Sequence, residues 1–118
     1  MRRTASLAAT IDSIRPRFLA ETAERLGRIR AVRAVLDRPG EIAEAVNDIR
    51  FDAHKTTGIA ATLGFAPLGK AAQEVDAVLT PLLQGKTAKG PLPARVTALV
   101  DAMMEEMARV SGPKAGGH

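Results

Sequence analysis

Between Ile42 and Leu63 the residues Ile42, Val46, Ile49, Ala53, Thr56, Ala60 and Leu63 recur at alternating spacings of four and three. That rhythm follows the 3.6-residue turn of an α-helix and lays the whole set on one face, which must be turned toward a core. The material for that core is restricted. Hydrophobic residues make up 46% of the chain and aromatics only 3%, with three Phe and no Trp, Tyr or Cys. Ala, Leu, Ile, Val and Met pack between helices, and the alternation of β-branched and aromatic residues between tight turns that marks strands is missing. A chain of 118 residues supports one domain with one core. The expectation is all-α: an antiparallel up-down-up-down four-helix bundle, with a short extra N-terminal helix if the chain breaks near Pro16.

The helices follow from periodicity and punctuation. The first runs from Thr10 or Pro16 to Leu36, with Ile11, Ile14, Phe18, Ala23, Leu26 and Ile29 inward, and ends at Asp37-Arg-Pro-Gly40. The second spans Glu41 to Leu63 and closes on Gly64, a natural left-handed cap. The third starts at Pro67, carries Leu68, Ala72, Val75, Leu79 and Leu82 on one face, is kinked by Pro81 and stops at Gly85. Residues 85–93, rich in Gly and Pro, read as the most mobile internal loop. The fourth, from Pro93 to Val110, turns Val96, Leu99, Val100, Met103, Met107 and Val110 inward. Residues 1–9 read as a flexible N-terminus, 10–110 as the bundle and 111–118 as a disordered tail holding the second histidine, His118.

Composition removes several classes of function. With no Cys there is neither a disulfide nor a thiolate metal site, and His54 and His118 are too far apart in sequence for a metal pair. The basic N-terminus lacks the apolar run of a signal peptide, and no stretch approaches the ~20 apolar residues of a membrane span, which points to a cytoplasmic protein. The net charge is +4, yet Lys and Arg are interspersed with acids and no Tyr or Trp is available for stacking, so neither nucleic acid nor a membrane surface is the expected partner. An acidic protein surface fits better. Gly-Lys-Ser/Thr phosphate loops, nucleotide-binding glycine triplets and Ser-His-Asp arrangements are missing.

The second helix carries the chemistry. His54 follows Ala53 by one residue, which rotates it about 100° off the apolar face toward solvent. Its helical neighbours are Arg50, Phe51, Thr57 and Gly58, with Ala61 a further turn along. A mid-helix glycine costs about 1 kcal/mol relative to alanine, so Gly58 needs a compensating role. Leaving that turn bare lets another protein's backbone, or a transferred group, come close to the imidazole.

With Gly58 four residues after His54, Leu63-Gly64 nine and ten after it, and Leu68, Ala72, Val75 and Asp76 on the next helix, the chain resembles the histidine-containing phosphotransfer domains of multistep phosphorelays over residues 42–83. The resemblance implies a phosphorylatable His54 and, as partners, response-regulator receiver domains or the receiver of a hybrid histidine kinase. It also implies that this chain binds no cofactor, magnesium being held by the receiver. Two positions depart from the family pattern. Thr56 stands where Leu is common, its hydroxyl expected to bond a carbonyl one turn back. Thr57 stands where the family has a phosphate-contacting Lys; Arg50 and Lys55 are the candidate replacements.

If the second and third helices form a hairpin about Gly64 to Ala66, His54, ten residues before Gly64, and Asp76, twelve after it, come to similar heights. A carboxylate accepting the Nδ1 proton would fix the tautomer and leave Nε2 outward as the nucleophile. The candidate site is therefore His54 and Asp76, with Arg50, Lys55, Thr57, Gly58, Ala61, Lys70 and Gln73 as phosphate or partner contacts and no metal ligand. The domain would act as a monomeric phosphocarrier without ATP-dependent kinase activity. Two other readings stay open: a helical adaptor that binds an acidic partner without chemistry, and a dimerising histidine-kinase fragment, against which stands Lys55 where that family places an acid.

Overall fold

The computed structural model describes residues 2–85 and 88–112, with side chains described from Ala8 onward. Its helices are α1 (Arg2–Val32), α2 (Ala43–Thr62), α3 (Ala66–Gln84) and α4 (Ala94–Ser111). A 3₁₀ turn, Arg33–Asp37, follows α1, and two-residue strands β1 (Gly40–Glu41) and β2 (Lys89–Gly90) lie in the connections. The helices pack as an all-α bundle with α2 against α3, α3 against α4 and α4 against α1, while α1 meets α2 more sparingly.

The apolar stripes form the core as expected. Ile42, Val46, Ile49, Ala53, Thr56, Ala60 and Leu63 are all buried, as are Leu68, Ala72, Val75 and Leu79 from α3 and Val96, Val100, Met103 and Met107 from α4. Leu82, Leu99 and Val110 pack half-buried at the edges. On α1 the inward set needs one correction. Ala23 is exposed and Thr22 is fully buried, because the stripe Phe18, Thr22, Leu26, Ile29 advances by four, four and three and leaves Ala23 a full 100° out of phase.

Helix α1 departs further from expectation. It starts at Arg2, so residues 2–9 of the stretch expected to be flexible are helical, and it passes through Pro16 without forming a separate helix. No Gly or Pro interrupts residues 2–15, and Ala, Leu and Arg are good helix formers. Ile11, Ile14 and Phe18 stay in phase across Pro16 and all pack on the core, which offsets the hydrogen bond that proline removes. At its other end the α-helix stops at Val32, and the 3₁₀ turn carries Leu36 into the core. Arg38 is then extended (φ −89°, ψ 147°), as the residue before a proline prefers. Met1 and residues 113–118, most of the expected tail together with His118, lie outside the described residues.

The 85–93 connection is not the loose loop its composition implies. β2 pairs antiparallel with β1, Gly90 opposite Gly40 and Lys89 opposite Glu41. The Ile42 amide donates to Ala88 O at 2.8 Å and the Leu92 amide to Leu36 O at 2.9 Å, and the Ala88 and Leu92 side chains are buried. These bonds strap the α3–α4 connection to the α1–α2 connection at one end of the bundle. Gly90 makes the close approach possible, since a Cβ there would lie 2.0 Å from Arg38 O. Gly90→Ala is therefore expected to cost about 2 kcal/mol, the scale of a steric insertion that backbone must relieve, read as a lower urea midpoint at unchanged m-value.

At the opposite end Gly64, at φ +96°, closes α2. The Phe65 amide donates to Ala60 O and the Gly64 amide to Ala61 O, the paired bonds of a Schellman cap, and the chain turns straight into α3. Phe65 stacks on Phe18 with centroids 5.8 Å apart, and Arg15 Nε donates to Leu63 O at 3.2 Å. These contacts fix the α2–α3 hairpin against α1 and set the register of the residues along it.

Candidate functional site

That register brings His54 and Asp76 together. His54 Nδ1 lies 2.8 Å from Asp76 Oδ2, while 63% of the His54 side chain is open to solvent. An ionised carboxylate can only accept, so the proton belongs on Nδ1 and the Nε2 lone pair is left free. The height match comes from the short capped turn, and the facing comes from phase. Gly69, Gln73, Asp76 and Thr80 form one row on α3, about 100° from its buried stripe and directed at α2.

Asp76 is itself held. Thr80 Oγ1 stands 2.7 Å from the Asp76 carbonyl and 3.1 Å from Oδ1, its single proton serving either, and Arg50 Nη1 is 3.5 Å from Oδ1. Partial burial pushes the Asp76 carboxyl up, but the hydrogen bonds from His54 and Thr80 and the charges of His54 and Arg50 outweigh it and hold it below the ordinary carboxylate value. The anionic form that the imidazole needs is thus the favoured one.

The other predicted residues divide. Gly58 leaves open space: a Cβ there would meet nothing within 4 Å. Ala61, Lys70 and Gln73 are exposed on the surface around the ring, Gln73 one turn before Asp76 in the same row. Thr57 departs from the expected phosphate contact, because its hydroxyl donates to Gly69 O at 3.1 Å and knits the hairpin. It can do so because Gly69 brings the helices close; a Cβ there would lie 3.4 Å from the Ala61 nitrogen. Lys55 faces the other way, its ammonium 5.2 Å from the centroid of the Phe51 ring. Thr56 behaves as its hydroxyl suggested, donating to Asp52 O at 2.8 Å.

Sequence reasoning missed Thr80 and Asp52. Thr80 is signalled by a hydroxyl one helical turn after the key acid. Asp52 sits buried on the α1 flank of α2, where Arg28 grips it with two bonds, Nη2 to Oδ1 at 2.8 Å and Nε to Oδ2 at 3.2 Å. The only hint was an acid between Phe51 and Ala53 with an arginine available on another helix. Exposed pairs contribute about 0.2–1 kcal/mol, and stripping the partner from a buried charge costs about 3–5 kcal/mol. With one partner buried and the other mostly exposed, Arg28→Met is expected to lower stability by about 1–2 kcal/mol in urea unfolding. The pair borders a cleft of 440 Å³ between α1 and α2, lined also by Ile29, Val32, Ile49 and Phe51. Phe51 is 52% exposed and lies one turn before His54 on α2.

Among the described residues no group of His, Asp and Glu side chains gathers as a metal site, and no helix is long and apolar enough to cross a membrane. Chemically the arrangement offers one exposed, tautomer-fixed imidazole with its anion behind it. Comparison of the chain with curated proteins and with solved structures gives no match. A family model described as the Hpt domain matches residues 13–110, from within α1 to the penultimate residue of α4, and includes both His54 and Asp76. The chain therefore belongs to the Hpt family, the phosphotransfer domains that work with receiver domains in phosphorelays.

Proposed function

We propose that His54 accepts a phosphoryl group from the aspartyl phosphate of one receiver domain and passes it to another. The observation that carries this reading is the 2.8 Å contact that fixes Nδ1–H on Asp76 while the Nε2 side of the ring stays open to solvent. In the forward step the Nε2 lone pair attacks phosphorus, the N–P bond forms, and the acyl phosphate P–O bond breaks to release the partner's carboxylate. The ring becomes a cation, and Asp76 stabilises it without any proton transfer. The return step runs the same bonds in reverse.

The chain needs little else. Phosphoryl transfer depends on alignment and charge neutralisation, and the magnesium ion and acidic residues come with the receiver. Gly58 and Ala61 give the partner backbone room to reach Nε2, while Lys70 and Gln73 are exposed on the docking face. Phe51, 52% exposed and one turn before His54, gives that face an apolar contact at its edge. The core of α2 and α3 is covered by α1 and α4 of the same chain, which supports a monomer and sets the protein apart from kinase hairpins that close only as dimers. A cytoplasmic setting belongs to the same proposal.

The test is to offer the purified protein to a panel of phosphorylated receivers and to look for an acid-labile, base-stable phosphate on the chain. An adaptor that binds without chemistry would bind a receiver yet gain no label.

A further inference from the structure

Resting on that reading, we propose that Arg50 is the side chain that neutralises the phosphoryl group on His54, leaving Asp76 to do so. The interhelical arginine–aspartate pairs of the bundle are not alike. Arg28 holds Asp52 with bonds of 2.8 and 3.2 Å, and Arg33 holds Asp101 with bonds of 2.7 and 3.1 Å, both two-pronged and closed. Arg50 reaches Asp76 through a single nitrogen at 3.5 Å, well beyond the 2.7–2.9 Å of a charge-assisted bond. The cause lies in Asp76, whose Oδ2 is taken by His54 and whose Oδ1 is shared with Thr80. Among the described residues this is the one polar contact of Arg50, so most of its donors are uncommitted.

Position makes Arg50 the cation that can turn to the phosphate. Arg50, His54 and Gly58 form one i, i+4, i+8 row on α2, and side chains on a helix lean toward its N-terminus, which carries the His54 ring toward the turn holding Arg50. Of the other groups near the ring, Lys70 is exposed on α3 closer to the hairpin turn, six residues before Asp76, and the rest are engaged or directed elsewhere. The Lys55 ammonium sits over Phe51, the Thr57 hydroxyl is spent on Gly69, and Arg28 on α1 is tied to Asp52 on the opposite flank of α2. A phosphoryl dianion on Nε2 presents three oxygens to a planar fork that matches them better than it matches its stretched bond to Asp76. The guanidinium then exchanges one anion for another with a small side-chain rotation, and Asp76 keeps its bond to the ring cation.

The experiment uses ammonium phosphoramidate as donor, with no partner protein present: Nε2 attacks phosphorus, the P–N bond of the reagent breaks and ammonia leaves. Phosphate on His54 is followed by ³¹P NMR for the wild type, Arg50→Met, Arg50→Lys and the Asp76→Asn and Arg50→Met/Asp76→Asn pair. The exposed Arg95→Met variant on α4 controls for the loss of one positive charge. Thermal melts compare the fold of each variant. Arg50→Met is expected to slow uptake about 10- to 100-fold, with Arg50→Lys regaining most of the rate and Arg95→Met matching the wild type. The loss is expected to persist in the Asp76→Asn background, as it must if Arg50 acts on the phosphoryl group. Uptake by Arg50→Met at the wild-type rate, or a loss that vanishes once Asp76 is replaced, overturns the assignment. A wild type that never gains label fails the proposed function itself, a separate result.

Discussion

His54→Gln is expected to take no phosphoryl group from any receiver, a loss limited only by the detection of the assay. Glutamine has similar bulk and keeps a polar tip near Asp76, but its amide nitrogen has no available lone pair to form a bond to phosphorus. Since the ring is largely exposed, the substitution is expected to change stability by no more than about 0.5 kcal/mol, so lost transfer cannot be put down to unfolding. Labelled receiver phosphate, followed by acid and base treatment of the recipient, reads the chemistry, and a thermal melt reads the fold. Label that persists in the glutamine variant would move the acceptor to another residue and sink the proposal.

Asp76→Asn follows as the second large effect, about a 10- to 100-fold fall in transfer with the fold intact. Attack through Nε2 places positive charge on the ring, 2.8 Å from the carboxylate that accepts its Nδ1 proton. A unit pair at about 4 Å is worth about 1 kcal/mol in water and about 4 kcal/mol at a surface-like effective dielectric of 20, and tenfold in rate is about 1.4 kcal/mol. With the ring open to solvent, the lower half of that range applies. Asparagine also presents an amide that can donate to Nδ1 as well as accept from it, which loosens the choice of tautomer.

The same substitution has a signature in acid. Because the Asp76 carboxyl is held below its ordinary value, the folded state favours the anion, and the resulting stability is fully present above about pH 3.9, the unfolded carboxyl value. It is lost as the pH falls through the lower native value. The gap in unfolding free energy between wild type and Asp76→Asn is therefore expected to hold steady down to about pH 4 and to narrow below it in urea titrations. A gap that widens toward acid would mean the contacts of Asp76 do not favour its ionised form.

What could be read ahead of the coordinates was whatever obeys a period. The stripe from Ile42 to Leu63 specified α2 down to its buried threonine, and the intervals about Gly64 brought His54 level with Asp76 because a Schellman cap adds no slack. Long-range choices were less legible. Nothing local distinguishes Ala23 from Thr22 as the inward residue, since the phase of α1 is decided by which partner it meets. The Gly- and Pro-rich residues 85–93 looked mobile because composition reports the freedom of a free chain; their order comes from β1 and from the Leu36 carbonyl, both distant in sequence. Thr57 lay near enough to His54 to look like a ligand contact. Only the close approach at Gly69 shows where its hydroxyl goes.

Every side chain placed around the reacting ring, from Arg50 through His54 and Asp76 to Thr80, comes from one uninterrupted stretch of chain, residues 50–80, folded back on itself. The remaining two helices supply the greasy lining and, from α1, a few fastenings: Phe18 on Phe65, Arg15 on the Leu63 carbonyl and Arg28 on Asp52. Selection can therefore rewrite α1 and α4 widely so long as the stripes and those fastenings survive, and descendants of a common ancestor should differ most there. The hairpin, by contrast, could be transplanted onto another pair of scaffold helices and bring its reactivity along.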